Sequence, residues 1–293
     1  MVTRRILLSA AVWMAFAGVP TQAGPAPVPV VASFSILADL VRAVGGERVA
    51  VTTIVGPDGD AHVYQPRPAD SRAIADARLV FVNGLGFEGW IDRLIGAART
   101  RAEVVTVSKG IAARTGEEGA DPHAWQDPAN VKIYVENIRA ALAAADPGGA
   151  EDYEANAAAY LARLAALDAE IAKTFDAIPK ERRRVVSTHD AFGYFSARYG
   201  VEFIAPQGVS TEAEASARDI ARIIDAAKRH KVSAVFLENV ADPRLTRRIA
   251  AETGARIGGT LYSDALSDAK GPAATYLDMM RHNAGELAKA MAQ

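Results

Sequence analysis

Three histidines of this chain lie in predicted loops, each downstream of a predicted strand. They are His62, His123 and His189, in the stretches DAHVY, DPHAW and STHDA. Imidazole nitrogens are common ligands of first-row transition metals. Because loops that follow parallel strands meet at one edge of a sheet, the fold can bring the three rings together. Metal binding is therefore the first hypothesis, although a single loop histidine is more often a surface or hydrogen-bonding residue.

A fourth residue follows a predicted strand in the same way. Asp264 lies in LYSDAL, after a strand predicted to end near Gly258. Three imidazoles and one carboxylate would complete a tetrahedral zinc shell. The separations between successive residues, 61, 66 and 75 positions, are too long for a zinc finger. The sequence favours an ion held between distant parts of the fold.

Strands that alternate with helices position these residues. The pattern predicts an α/β protein with two Rossmann-like lobes, each a mostly parallel sheet flanked by helices. An alanine-rich stretch over 150–177 predicts one long rigid helix between the lobes. Later helices are predicted over 213–230 and 272–291, and a short strand over 255–258. The expected organisation is a signal peptide at 1–23, an N-terminal lobe at 24–147, the linking helix at 148–180 and a C-terminal lobe at 181–293.

The N-terminus indicates export. Arg4 and Arg5 precede an apolar stretch and a small-residue exit at Ala23, a pattern typical of a cleaved signal peptide. The sequence has no cysteine, so we expect no disulfide and no lipid anchor, which predicts a periplasmic protein. Loss of Arg4 and Arg5 takes the formal charge from −2 to −4. This mild acidity argues against a nucleic-acid partner.

Several motifs, in order, resemble those of one known family. The chain is similar to the zinc- and manganese-binding solute receptors of bacterial ABC transporters, the cluster A-I or TroA-like group. The resemblance covers nearly all of the chain beyond the signal peptide. It rests on the segments DAHVYQP from Asp60, DPHAWQDP from Asp121, THDAFGYF from Thr188, PQGVSTEAE from Pro206 and LYSDAL from Leu261. Ala61 and Gln65 depart from the proline and glutamate that are usual in the first motif.

The resemblance implies a function and a ligand set. It implies that His62, His123, His189 and Asp264 bind a transported ion, with limited hinge motion of the lobes. It also implies delivery of the ion to a cognate permease in the inner membrane, with a metallochaperone as a further partner to consider. We expect a monomer that is not an enzyme.

The choice of metal stays open between zinc and manganese or iron. A third imidazole, His189, stands where manganese-preferring relatives commonly have glutamate, and this favours Zn²⁺. Many zinc-specific members carry a histidine-rich loop before the second motif, whereas residues 115–120 here are short and lack histidine. A secreted zinc hydrolase is an alternative, but Asp264 would fill the position that catalytic zinc keeps for water. A surface adhesin or a metal-storage protein is a third.

One carboxylate is expected to support the ligands. Glu238, at the end of the predicted strand AVFLE, could accept a hydrogen bond from a ligating imidazole. Asp121 and Asp190 are nearer to the histidines in sequence, but each could instead cap a turn or helix. We assign His230 to a helix end and His282 to a structural or solvent-facing position, outside the site.

Overall fold

The N-terminal lobe is built on a parallel four-stranded sheet. The computed structural model describes residues 26–116, 119–230, 232 and 234–292, so the predicted signal peptide lies outside the described residues. The strand order is β2-β1-β3-β4. These strands are β1 (Val28–Phe34), β2 (Val49–Val55), β3 (Leu79–Val82) and β4 (Glu103–Thr106), and the flanking helices are α1 (Ser35–Gly45), α2 (Pro68–Asp76) and α3 (Ile91–Ala98). A two-stranded hairpin of β5 (Thr115–Gly116) and β6 (Gly119–Ala120) follows, and then α4 (Pro128–Ala145).

One long helix joins the two lobes. Helix α5 (Ala150–Asp176) has 27 residues, which at about 1.5 Å of rise per residue span roughly 40 Å. Its buried side chains recur every three or four positions and form a single stripe, which fits a helix packed along one side. They are Tyr153, Ala157, Tyr160, Leu164, Leu167, Ile171 and Phe175. This stripe packs on α1 and α4 and on helices of the second lobe, so the predicted linking helix is confirmed.

The C-terminal lobe repeats the architecture. Its parallel sheet has the order β10-β9-β7-β8. The strands are β7 (Arg184–Val186), β8 (Glu202–Ile204), β9 (Ala234–Glu238) and β10 (Arg256–Leu261), and the helices are α6 (Gly193–Tyr199), α7 (Ala217–Arg229), α8 (Pro243–Thr253) and α9 (Tyr276–Ala292). In both sheets the chain moves outward and then returns to the other side of its first strand. That reversal creates a crevice at the carboxyl ends of the strands, where α/β proteins bind ligands.

Two helices begin later than the sequence predicts, for the same reason. A hydroxyl at each start accepts a backbone N–H and fixes the first turn. Ser216 Oγ accepts the N–H of Asp219 at 3.2 Å, so α7 begins after Ser216 and not near 213. Thr275 Oγ1 likewise accepts the N–H of Asp278 at 3.2 Å, so α9 begins at Tyr276 and not at 272.

The last strand is longer than predicted and changes the position of Asp264. Strand β10 continues to Leu261, and its register against β9 shifts between Ile257 and Thr260. Such an irregularity bends a strand and redirects the residues that come after it. Asp264 therefore lies three residues after the strand, close to the sheet edge. No helix in the described part of the chain is long and apolar enough to cross a membrane.

Candidate metal centre

His62 and His123 are presented by the same local turn. Asp60 Oδ1 accepts the N–H of His62 at 2.9 Å, and Asp121 Oδ1 accepts the N–H of His123 at 3.0 Å. In each case an aspartate bonds to the backbone two residues later, which is an Asx turn. The turn fixes the backbone that carries each imidazole at the carboxyl end of the N-terminal sheet. The spacing Asp-x-His is a sequence signal for this geometry.

His189 lies where the C-terminal sheet reverses its strand order. It follows β7, and Glu238 ends the neighbouring strand β9. Glu238 Oε1 accepts the N–H groups of Thr188 at 2.6 Å and of His189 at 3.0 Å. The carboxylate thereby fixes the loop backbone on which His189 is carried.

The four predicted ligands come together in the cleft between the lobes. The two oxygens of Asp264 face three imidazoles: Nε2 of His62 at 3.3 Å, of His123 at 3.5 Å and of His189 at 3.2 Å. All four ligand atoms lie within 4.8 Å of one another. Bonds of about 2.0–2.1 Å would put the corners of a tetrahedral shell about 3.3–3.4 Å apart. The carboxylate therefore already stands at the distance from the imidazoles that a shared ion requires.

These ligand atoms are buried and lack hydrogen bonds. His123, His189 and Asp264 are 0% exposed and His62 is 5% exposed. Among the described residues, Nε2 of all three histidines and both oxygens of Asp264 have no hydrogen-bond partner. Unpaired buried polar atoms are costly. A cation would satisfy all of them at once.

Two carboxylates contact the far side of the imidazoles. Asp121 Oδ1 lies 2.8 Å from Nδ1 of His123 and is hydrogen-bonded to it. Glu238 Oε2 lies 2.6 Å from Nδ1 of His189, as an ion-pair contact that is not aligned as a hydrogen bond. Such contacts leave Nε2 free to face the ion. The sequence favours Glu238 for this supporting contact, and in the structure Asp121 also contacts the Nδ1 of a histidine of the cluster.

Aromatic rings separate the site from the N-terminal core. Phe87 lies edge-on to His62 with ring centroids 4.7 Å apart, and Trp125 lies edge-on to His123 at 5.2 Å. Phe34 packs on both Phe87 and Trp125. This wall excludes water and lowers the local dielectric, which strengthens electrostatic contacts inside the cleft.

Burial and neighbouring charges shift the pKa values in opposite directions. Burial opposes the charged form of Asp264, but His189 and His123 outweigh it and hold the pKa of Asp264 well below its usual range. Burial likewise opposes protonation of His189, but Glu238 and Asp264 outweigh it and raise its pKa well above the ordinary value. Against the same burial penalty, Asp264 and Asp121 raise the pKa of His123. In the metal-free protein, protons therefore compete for these imidazoles.

Metal affinity is expected to fall as the pH falls. The pKa values of His123 and His189 are raised, so the decline should begin above the ordinary histidine value of about 6.5. Below the raised pKa the metal must displace a proton from the imidazole, and each such proton lowers the metal affinity about tenfold per pH unit. Zinc titrations against a competing chelator between about pH 8 and 5.5 measure this. A flat affinity over that range would contradict a site made of three imidazoles.

The other candidate residues lie elsewhere. His230 ends α7, where its Nδ1 lies 3.2 Å from Arg184, and Nε2 of His282 lies 2.9 Å from the carbonyl of Thr260. Both histidines are outside the cluster, as predicted. Asp190 is exposed, and α6 begins at Gly193 without a side-chain cap, so a capping role for Asp190 is wrong.

Comparison with known proteins places nearly all of the described chain in one family. The family model described as zinc-uptake complex component A, periplasmic (ZnuA), matches residues 30–290. The manganese-binding lipoprotein MntA of Halalkalibacterium halodurans is 39% identical over 266 residues, which cover 90% of this chain and 88% of that protein. The iron-binding protein YfeA of Yersinia pestis is 34% identical and covers 90% and 86%. The metal ABC transporter substrate-binding lipoprotein ScbA of Streptococcus cristatus is 30% identical over 286 residues and covers 93% and 92%.

Solved structures agree with this assignment. The periplasmic zinc-binding protein TroA of Treponema pallidum superimposes with a TM-score of 0.88 at 32% identity, covering 92% of this chain and all of that one. A manganese-bound periplasmic metal-binding protein of Candidatus Liberibacter asiaticus, an S38A mutant, gives a TM-score of 0.83 at 31% identity and covers 89% and 98%. The predicted two-lobed α/β fold is thus confirmed. The family comprises solute-binding components and not enzymes, and the chain belongs to this ZnuA and TroA-like family of periplasmic metal-binding components of ABC importers.

Proposed function

We propose that His62, His123, His189 and Asp264 bind one Zn²⁺ ion between the lobes, for delivery to the permease of the importer. The observation that carries this proposal is the set of buried, unpartnered ligand atoms, with Asp264 lying 3.2–3.5 Å from each Nε2. Three nitrogens and one carboxylate suit zinc, whereas magnesium and calcium prefer all-oxygen shells. Four protein ligands enclose the ion, as a receptor for a free cation requires.

Manganese or iron is the second candidate. It is favoured by the names of the relatives, which include manganese-binding and iron-binding proteins. A structural feature also allows it: Oδ1 of Asp264 faces His123 while Oδ2 faces His62 and His189. A carboxylate that used both oxygens would give a shell of five ligands, larger than zinc usually takes in closed sites.

Tighter binding of zinc than of manganese or iron does not by itself identify the transported metal. Nearly every nitrogen and oxygen site binds zinc more tightly than manganese or iron, following the Irving–Williams order. Competitive zinc and manganese titration therefore tests the site, with stronger manganese binding at neutral pH as the contrary result. The transported metal has to be identified by measuring metal uptake in cells.

Loss of the gene is expected to impair growth when zinc is scarce. The deletion strain should accumulate less zinc than wild type under a zinc chelator, and added zinc should restore growth. Elemental analysis of washed cells measures the accumulated metal. Complementation with the wild-type gene and with a His189→Ala variant provides the matched pair. A growth defect corrected by manganese or iron and not by zinc would move the proposal to that metal.

We also propose the organisation of the exported protein. The lobes are assigned to residues 24–147 and 181–293, joined by residues 148–180, after removal of residues 1–23. Several relatives are named lipoproteins, but this sequence contains no cysteine to which a lipid could be attached. We therefore propose that the exported protein acts in the periplasm. Cell fractionation and the mass of the mature protein test both points.

A further inference from the structure

The backbone next to Asp264 is held by the opposite lobe. The carbonyl of Ser263 accepts two hydrogen bonds, from Trp125 Nε1 at 2.9 Å and from Gln126 Nε2 at 2.8 Å. Both donors belong to the N-terminal lobe and lie two and three residues after His123. All of these side chains are buried. The peptide that carries Asp264 is therefore bonded to the same loop that carries His123.

Two more hydrogen bonds extend this attachment. The N–H of Leu266 donates to Ser35 Oγ at 2.9 Å, and its carbonyl accepts the N–H of Asp58 at 2.9 Å. On the other side, Asn239 of the C-terminal lobe donates to the carbonyl of Ala265 at 3.2 Å. The Asn239 amide also contacts Asp58 Oδ1 at 3.0 Å. Among the described residues, the N-terminal lobe thus supplies four of the five hydrogen bonds to the backbone of residues 263–266. Just before them, the N–H and the carbonyl of Tyr262 are both bonded to Asn283 of α9.

The start of α9 is also hydrogen-bonded to the N-terminal lobe. The N–H of Tyr276 donates to Asp39 Oδ2 at 2.8 Å, and its hydroxyl donates to the carbonyl of Trp125 at 2.8 Å. Leu261, Leu266 and Tyr276 also belong to the main apolar core. That core contains the N-terminal sheet and α5 and also Val185, Ala234 and Phe236 of β7 and β9, so the hydrogen bonds and not the core assign this segment to the N-terminal lobe. Asp264 lies between groups that are packed into that core.

His189 is held differently. Its N–H donates to Glu238 Oε1 at 3.0 Å, and its carbonyl accepts the hydroxyl of Ser187 at 3.0 Å. A parallel bridge pairs it with Gln207. All three partners belong to the C-terminal lobe. The outer part of that lobe has a second, smaller core, made of Val186, Ile223, Ile224, Ala227, Val232, Val235, Ile249 and Ala250.

Just after His189, the chain passes from residues bonded within the C-terminal lobe to residues bonded to the N-terminal lobe. The hydroxyl of Tyr194, in α6, donates to the carbonyl of Asp121 and accepts the N–H of Arg114, both at 3.0 Å. Helix α6 is therefore bonded to the N-terminal lobe, although it follows β7. The loop that carries His189 therefore lies between β7, which belongs to the C-terminal sheet, and α6, which is bonded to the N-terminal lobe.

We propose that Ser35, Trp125 and Gln126 are positioning residues that hold Asp264 on the N-terminal lobe. His62, His123 and Asp264 then form a preformed set of three ligands, and His189 is the fourth ligand, which separates when the cleft opens. This rests on the proposed metal site and adds which ligands move together. Preorganisation of three ligands removes most of the ordering cost of capture. Approach of His189 completes the shell, and its withdrawal is the step that releases the ion.

Distances between spin labels in the full mature protein test the proposal. The sequence contains no cysteine, so introduced cysteines are the only attachment points. Exposed alanines provide three positions: Ala75 in α2, Ala269 after Asp264 and Ala221 in α7. One double variant combines Ala75→Cys with Ala269→Cys, and the other combines Ala75→Cys with Ala221→Cys. Each is measured with and without Zn²⁺ by pulsed electron paramagnetic resonance.

The expected result is a contrast between the two pairs. Zinc should shift the 75–221 distance by more than about 2 Å and leave the 75–269 distance unchanged. A 75–269 distance that shifts together with the 75–221 distance would overturn the proposal, as would bound zinc with no shift in either pair. Zinc titration of the same labelled proteins tests the proposed function separately, since absence of binding would overturn the metal site itself.

Gln126→Met tests the positioning role directly. Among the described residues the side-chain oxygen of Gln126 has no partner, so the variant removes the bond to Ser263 and keeps a side chain of similar size. We expect zinc dissociation to become roughly two- to tenfold faster and the 75–269 distance to become sensitive to zinc. The melting temperature of the metal-free variant is the control readout. An unchanged dissociation rate, or a lower melting temperature as the only effect, would show that Gln126 does not position Asp264.

Discussion

Replacing His189 with alanine is expected to abolish high-affinity zinc binding while leaving the fold intact. The variant loses a buried nitrogen that lies 3.2 Å from Asp264. Loss of a supporting residue around a metal typically costs 10–100-fold in affinity, and loss of a ligand should cost more than about 100-fold. The fold should survive because His189 is a loop residue and the apolar cores do not include it. Competition with a chelator of known affinity measures the binding, and circular dichroism checks the fold.

His230→Ala is the matched control for this variant. His230 is exposed at the end of α7 and lies outside the cluster, so its removal should leave zinc affinity unchanged. Equal affinities of the His189→Ala and wild-type proteins would remove His189 from the ligand set. Equal losses in both variants would point to a general effect of histidine removal and not to a site.

Replacing Glu238 with glutamine should weaken zinc binding by about 10–100-fold. Glu238 Oε2 contacts Nδ1 of His189 at 2.6 Å, and its other oxygen accepts two backbone N–H groups. Glutamine keeps one acceptor but loses the charge that holds the imidazole with Nε2 toward the ion. Burial opposes the charge of Glu238, but the ion pair with His189 outweighs it and holds the pKa of Glu238 below its usual range. In the metal-free protein this carboxylate therefore favours its charged form.

The pH profile separates a supporting role from simple damage to the fold. Without Glu238 the pKa of His189 should fall, because that carboxylate is the strongest charge raising it. Proton competition should then begin at a lower pH than in wild type, although affinity at neutral pH is weaker. Glu252→Gln changes an exposed carboxylate in α8 and serves as the control. Wild-type affinity together with a wild-type pH profile in Glu238→Gln would remove Glu238 from the site.

Much of the fold could be read from local patterns. The run of alanines and regularly spaced apolar residues in α5 predicts one long helix, since helical period and propensity are local properties. The alternation of strands and helices predicts two parallel sheets by the same logic. The starts of α7 and α9 were harder to predict from the sequence, because a single hydroxyl at Ser216 or Thr275 decides where the first turn begins. The register shift in β10 depends on pairing with β9 and has no local signature.

The four residues of the cluster could be named from the sequence, but the contacts that hold their side chains in place could not. His62, His123, His189 and Asp264 all follow strands, and parallel strands end at a common edge. Asp121 is a different case. Its position two residues before His123 signals an Asx turn, but its contact with Nδ1 depends on how the imidazole is turned in the cleft. Distances between side chains of different loops are set by packing, which a single sequence does not express.

By itself, the sequence determined the class of fold, the four candidate ligands and the chemistry of their donor atoms. These follow from residue type and from periodicities that act over a few positions. The tertiary structure alone decided which backbone groups near Asp264 are bonded to the N-terminal lobe. Asp264 is carried by the C-terminal lobe in sequence, yet its neighbouring backbone is bonded to Ser35, Trp125 and Gln126. Those contacts join residues more than a hundred positions apart, and only the packed lobes bring donor and acceptor within hydrogen-bonding distance.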